Sequence, residues 1–296
     1  MEKSNIDEKI KLLTGSGMWH TQEVEGLPSV HLSDGPHGLR KQEEKERQNN
    51  VSLVSTCYPT ASALACSWDV TAAERLGRAV AKEAWNADVA VLLGPGINMK
   101  RSPLCGRNFE YFSEDPFLAG RLGAAYVSAA QGEDVAVSLK HFAANNQETN
   151  RQTSNSQIDE RALREIYLSA FEYVVKTARP ATIMASYNRL NGYYACENRH
   201  LLTEILREEW GFDGVVISDW GACADLAKAV KAGMDLEMPD SHGIHARKLK
   251  AALKAGEISE EDIAKAAGRI EKLVKKYAPD NRAKKAVSYT HLRAHE

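Results

Sequence analysis

Short apolar runs alternate along the chain with longer stretches whose apolar positions recur every three or four residues. Val89–Leu93 (VAVLL) is a continuous apolar run closed by Gly94-Pro95-Gly96, and Val215–Ser218 (VVIS) is an apolar run that ends in Ser218. Runs of this kind predict strands buried on both faces. Val30–Ser33, Val135–Leu139 and Thr182–Ser186 predict further strands, with Ala61–Ala65 a weak candidate and Asp235–Met238 the last. Helices are predicted between them. Asp69 can cap a helix over Val70–Trp85 that lines up Leu76, Val80 and Ala84 on one face. Pro116, at the favoured first position, opens a helix to Gln131. Asp159–Lys176 places Leu163, Ile166, Tyr167, Ala170 and Val174 at helical spacing. Asn198–Trp210, a short Asp225–Ala232, Ile244–Lys254 and Ser259–Tyr277 complete the helices. Ile10, Leu12 and Leu13 belong to a short N-terminal helix that Gly15 and Gly17 end, and the charged run Lys41–Asn50 is a solvated loop.

About seven strands separated by helices predict a parallel sheet with right-handed crossovers. Pattern alone does not separate a barrel from an open doubly wound sheet. No glycine-rich dinucleotide or phosphate loop follows a strand, so the open sheet lacks its usual ligand site. The chain has 296 residues, and a (β/α)8 barrel of about 250 would use nearly all of them. A formal net charge of −2 argues against a nucleic acid or membrane surface as partner. No apolar run approaches the roughly 20 residues of a membrane helix, and Met1–Asn5 leads into a charged stretch without a signal core. The five cysteines, Cys57, Cys66, Cys105, Cys196 and Cys223, are an odd number without a C-x-x-C pair. A reduced, cytoplasmic protein is the expectation.

In a parallel barrel, function sits at the C-terminal ends of strands. Those positions are rich in polar groups: Asp34 in Ser33–Arg40, Arg101 and Arg107 after Gly94–Asn98, Lys140-His141, Tyr187-Asn188, and Asp219-Trp220. Singly, each has a bland reading as a turn, a surface charge or an ion pair. The pair His242 and His245 reads as a solvated helix start rather than a metal site. Cys105 and Cys223 read as packing residues. The argument for function is convergence of five strand ends on one face. Carboxylates, cations and aromatic rings together suit a ligand covered in hydroxyl groups.

Five segments carry a resemblance: LSDGPHGLR (Leu32–Arg40), LGPGINMKRSPLCGRNFEYFSEDP (Leu93–Pro116), LKHFAANNQE (Leu139–Glu148), MASYNRLNG (Met184–Gly192) and VVISDWGA (Val215–Ala222). Together, and over about Ile6–Tyr277, the chain resembles two-domain bacterial β-glucosidases of glycoside hydrolase family 3. The resemblance implies a (β/α)8 barrel, regular or with a missing or reversed element, over residues 1–278. It implies a retaining β-glucosidase without cofactor or metal, acting on terminal β-D-glucosyl residues through a covalent glycosyl-enzyme. Asp219 is then the nucleophile. Asp34, Arg107, Lys140, His141, Met184, Tyr187 and Trp220 bind substrate. The positive charge of Lys140, Arg107 and His141 is expected to hold the Asp219 pKa low.

A retaining enzyme also needs an acid/base carboxyl about 5–5.5 Å from the nucleophile. Glu110, Glu148 and Glu237 are candidates by position, and the first two read as structural parts of their motifs. In the family, the acid/base usually comes from a following α/β sandwich domain, expected here to be missing after a linker at 279–286. The last ten residues, Val287–Glu296 (VSYTHLRAHE), resemble the translation of a transposase-type sequencing adapter and are expected not to be native. Single-domain relatives that cleave N-acetylglucosamine use a His after the Lys-His motif, which Phe142–Asn146 lacks. Other readings are a β-xylosidase or N-acetylglucosaminidase of the same family, a Schiff-base lyase using Lys140, and an inactive sugar-binding fragment. The expected partner is a small oligosaccharide or β-glucoside.

Overall fold

The computed structural model describes residues 6–42 and 51–279. Most of the Lys41–Asn50 loop, nearly all of the 279–286 linker and the 287–296 tail lie outside the described residues. The chain forms an α/β fold around a seven-stranded mixed sheet of half-barrel form. Its strands, in spatial and chain order, are β1 (Gly15–Ser16), β2 (His20–Thr21), β3 (His31–Asp34), β4 (Val89–Leu93), β5 (Ala136–Phe142), β6 (Thr182–Ala185) and β7 (Val215–Ser218). Strands β3 to β7 pair in parallel; β1 and β2 form an antiparallel hairpin, and β2 meets β3 antiparallel.

The sequence predicts the parallel strands well because β4, β5, β6 and β7 are buried at every position. Helices cover the outer face of the sheet, as crossover connections require. Val70–Asn86 starts at Asp69, whose side chain accepts from the Thr71 amide. Pro116–Gln131 starts at Asp115, which accepts from the Phe117 and Leu118 amides. These two helices pack against each other. Gly77 makes this possible, since a Cβ there would stand 2.5 Å from the Tyr126 carbonyl oxygen.

Two expected strands are corrected. Ala61–Ala65 is a helix, because Thr60 accepts from the Ala63 amide and caps it. Its alanines favour helix once a cap is present. Asp235–Met238 makes only single bridges, Leu236 to Ile217 and Glu237 to Thr14. These bridges link β7 to the segment just before β1, so the two edges of the sheet approach each other. Two predicted helices are widened: Leu163–Tyr167 and His200–Glu209 have π-helical turns. No helix among the described residues is long and apolar enough to cross a membrane.

Candidate active site

The C-terminal ends of β3, β5, β6 and β7 and the loop after β4 bring the expected residues together. Asp34 ends β3, and its carbonyl accepts from the Arg40 amide at 2.8 Å, folding the Asp-Gly-Pro loop back on itself. Gly35 (φ +134°) is required there, because a Cβ would come within 2.0 Å of the Gly38 carbonyl oxygen. Lys140, on β5, is buried between two carboxylates: its Nζ lies 3.6 Å from Asp34 and 3.7 Å from Glu110. Glu110 in turn holds Arg107 through a short hydrogen bond to Nε. Asp34, Lys140, Glu110 and Arg107 thus form a chain of alternating charge along the floor of the site.

The charges settle each other. Burial pushes the Glu110 carboxyl upward, but Lys140 and Arg107 outweigh it and hold it below the usual carboxylate range. Burial likewise works against the Arg107 charge, and Tyr111, Glu110 and Asp219 more than offset it. Glu110 was expected to be a structural part of its motif, and its contacts give it that role: it anchors the two cations.

His141 is enclosed. Its backbone amide donates to Asn98 Oδ1 at 2.7 Å, and Asn98 Nδ2 donates to its carbonyl at 2.8 Å. Its Nδ1 lies 2.9 Å from the Tyr111 hydroxyl, and its Nε2 lies 3.7 Å from Asp219 Oδ2. Burial, then Arg107, Lys140 and Arg151, drive the His141 pKa well below its ordinary value, so the ring is neutral at physiological pH. It therefore contributes no charge toward Asp219.

Asp219 follows β7. Its amide donates to Ala185 at 2.9 Å, and its Oδ1 accepts from the Trp220 amide at 2.8 Å. Its Oδ2 is buried and has no hydrogen-bond partner. Burial raises the Asp219 pKa above its ordinary value, although Arg107, the Trp220 amide, Lys140 and Arg151 pull it down. This corrects the expectation of a lowered pKa: desolvation wins over cations that do not touch the carboxylate, and one of the three expected cations, His141, is neutral.

The remaining expected residues surround this carboxylate. Tyr187, after β6, donates to the Trp220 carbonyl at 2.9 Å. Met184 is buried in β6, in register with Ile217. Trp220 donates from Nε1 to the Met18 carbonyl at 2.8 Å and packs on Trp19, ring centroids 5.1 Å apart. Two residues escaped the sequence reading. Arg151 places its guanidinium 4.5 Å from the Tyr187 ring centroid and pairs with Glu148 at 2.8 Å. Trp19 supports Trp220 from the β1–β2 turn. Arg151 lies in a turn rather than a helix, so no sequence periodicity marks it.

The other carboxyl candidates are engaged elsewhere. Glu148 is held by Arg151 and Asn145. Glu237 shares a short hydrogen bond with His245. That contact corrects part of the reading of His242 and His245: His242 is exposed, but His245 is half-buried against Glu237 rather than solvated. Cys105 and Cys223 are buried, as expected of packing residues.

These features define an α/β protein whose parallel strand ends carry a buried carboxylate set in a floor of paired charges and aromatic rings. The chain belongs to glycosyl hydrolase family 3, whose N terminal domain model matches residues 36–273. It is 51% identical over 278 residues to thermostable β-glucosidase B of Acetivibrio thermocellus, covering 93% of this chain and 37% of that protein. It is also 51% identical over 242 residues to an exo-α-(1→6)-L-arabinopyranosidase of Bifidobacterium longum, covering 80% of this chain and 32% of that protein. The crystal structure of a family 3 β-glucosidase of Bifidobacterium adolescentis superposes with a TM-score of 0.89 at 45% identity, covering 95% of this chain and 40% of that one. The chain thus spans about a third of the length of the curated relatives it matches.

Proposed function

We propose that this chain carries the nucleophile and most of the sugar-binding groups of a retaining β-glucosidase. The observation that carries the reading is Asp219 Oδ2, a buried carboxylate oxygen left unpartnered beside Lys140, Arg107 and Arg151. A nucleophile needs one oxygen held in place and one free, and the Trp220 amide holds Oδ1. Oδ2 attacks the anomeric carbon as the glycosidic C–O bond breaks, and the departing oxygen takes a proton. Water then attacks the same carbon, passes a proton to the base that the first-step donor has become, and releases Asp219. Asp34, Lys140 and Arg107 accept from or donate to sugar hydroxyls, and Trp220 offers a flat apolar face.

The proton donor is proposed to come from a part of the protein outside residues 6–279. Glu110 is held ionised by Lys140 and Arg107, Glu148 is bound by Arg151, and Glu237 is bound by His245. The short coverage of the relatives agrees with a further domain as its source. Lys140, paired with Asp34 and Glu110, is poorly placed for a Schiff base, which needs an unpaired neutral amine. Five free thiols favour a reducing compartment.

The test compares leaving groups. The chain alone is expected to cleave a dinitrophenyl β-glucoside, whose leaving group needs no proton. It should lag on cellobiose by about 10²–10⁴-fold, the usual worth of general acid catalysis. Proton NMR of the first product should show β-glucose. α-Glucose appearing first, or cellobiose cleaved as well as the activated glucoside, would overturn the reading. The arabinopyranosidase relative motivates a second substrate. An aryl α-L-arabinopyranoside cleaved faster than the matching β-glucoside would select that sugar instead.

A further inference from the structure

Behind the loop that carries Asp219, three different donor groups meet outside the site described above. Cys223, Glu237 and His245 each place one ligand atom within 4.8 Å of the other two. Cys223 is 5% exposed and Glu237 3%, while the His245 side chain is 17% exposed and forms the edge that solvent reaches. Glu237 and His245 share a short hydrogen bond, and Ser241 Oγ lies 3.4 Å from the second Glu237 oxygen. The Cys223 thiol is unpaired with any other cysteine and has no hydrogen-bond partner among the described residues. The packed Cys223 thiol thus faces a carboxylate and an imidazole.

We propose that Cys223, Glu237 and His245 form a binding site for a borderline-soft divalent cation of the Zn²⁺ kind. The donor set is the argument. Thiolate, imidazole and carboxylate are the ligands Zn²⁺ takes, at about 2.0–2.3 Å from the metal. Three atoms already within 4.8 Å of one another close on a single ion by side-chain rotation. Mg²⁺ and Ca²⁺, which require oxygen ligands, do not fit a site with one sulfur and one nitrogen. On binding, the thiol proton and the proton shared by Glu237 and His245 leave to solvent, and water completes the coordination.

The two ligand-bearing segments are already tied together. The Met238 carbonyl accepts from the Gly221 amide at 2.8 Å and from Ser218 Oγ at 3.2 Å, and the Met238 amide donates to Ser218 Oγ at 2.9 Å. An ion bridging Cys223 to Glu237 and His245 therefore adds a clamp four residues beyond Asp219. Bound metal stabilises the fold and stiffens the loop beneath the carboxylate. The inference stands apart from the glycosidase reading, because its evidence and its test concern metal binding alone.

The experiment strips the full chain with a chelator and titrates it with Zn²⁺ by calorimetry, with Co²⁺ as an optical probe. One equivalent of Zn²⁺ should bind and raise Tm. One equivalent of Co²⁺ should give a thiolate-to-cobalt charge-transfer band. Cys223→Ser should abolish that band and weaken Zn²⁺ by at least about 100-fold, since even outer partners of a metal site cost 10–100-fold. His245→Gln, on a partly exposed side chain, should weaken Zn²⁺ similarly and serves if Cys223→Ser fails to fold. Mg²⁺ should not compete. Absence of a one-to-one site in the wild type overturns the proposal. So does a cobalt band that survives Cys223→Ser, which would place the ion on exposed Cys57 or Cys66.

Discussion

Strand β7 has a buried aspartate beside each of its ends, and the two are treated in opposite ways. At its N-terminal end, Asp235 is fully enclosed. Its Oδ2 accepts from Arg207 at 2.6 Å and from the Val216 amide at 2.7 Å, and its Oδ1 accepts from Arg269 at 2.8 Å. At the C-terminal end, Asp219 has one oxygen held by an amide and the other left without a partner. Both sit near arginines, and burial raises both pKa values above the ordinary range. The difference is contact. Arg207 and Arg269 touch Asp235, whereas Arg107 and Arg151 act on Asp219 only through space. A satisfied buried charge holds structure; an unsatisfied one is maintained at a cost in stability and is free to react.

The largest effect that can break this comparison is on turnover. Asp219→Ala should lower kcat on a dinitrophenyl glucoside by several powers of ten. Circular dichroism should be unchanged, because the Asp219 carboxylate is held by the adjacent Trp220 amide and otherwise stands 3.7 Å from the neutral His141 ring. Asp235→Asn should do the reverse. It leaves the half-buried Arg207 and Arg269 without their counter-charge, a loss of up to about 3–5 kcal/mol in urea unfolding. Activity per folded molecule should stay near wild type. If Asp235→Asn removed turnover at full stability, the division between the two ends would fail.

A smaller effect separates direct contact from field. Arg151 stacks on Tyr187 and lowers the Asp219 pKa without touching it. Arg151→Gln should reduce kcat/KM by about tenfold, the scale of one charge-assisted interaction of 1.5–3 kcal/mol. It should also move the acid limb of the pH profile upward, since one of the cations opposing protonation is gone. A tenfold loss with an unmoved limb would make Arg151 a hydroxyl-binding group only.

Legibility in the sequence follows the same line. The strand ends that carry Asp34, Lys140, His141, Tyr187 and Asp219 are readable because short apolar runs stop at them. Arg151 is not, since it lies nine residues beyond β5 in a loop whose path back to Tyr187 no periodicity encodes. Asp235 reads as part of a strand, and its true role is hidden because its partners lie 28 residues before it and 34 after. Ala61–Ala65 misleads because a short alanine-rich run suits a helix or a strand, and the deciding group is the Thr60 side chain. The pairing of Glu237 with His245 is likewise invisible until the chain after Met238 turns back to start the helix at Ile244.

The finest test concerns the stability that Asp219 withholds. Its folded pKa lies above its unfolded value, so between the two the native state binds more protons than the unfolded one. Wild-type stability therefore falls as pH rises through that window, the reverse of an ion-paired carboxylate. Asp219→Asn removes the titrating group and keeps the shape. It should match wild type at pH values below the ordinary Asp range, near 3.9. It should then become the more stable protein as pH rises through the folded pKa of Asp219, and hold that gain at neutral pH. The gain appears as a higher Tm of the variant than of wild type. The measurement is the Tm difference between the two proteins across the acid range. A difference that is flat with pH would mean that Asp219 is not desolvated in solution. An Asn variant that loses stability at neutral pH would mean that Oδ2 has a partner after all, and that the two aspartates of β7 are held alike.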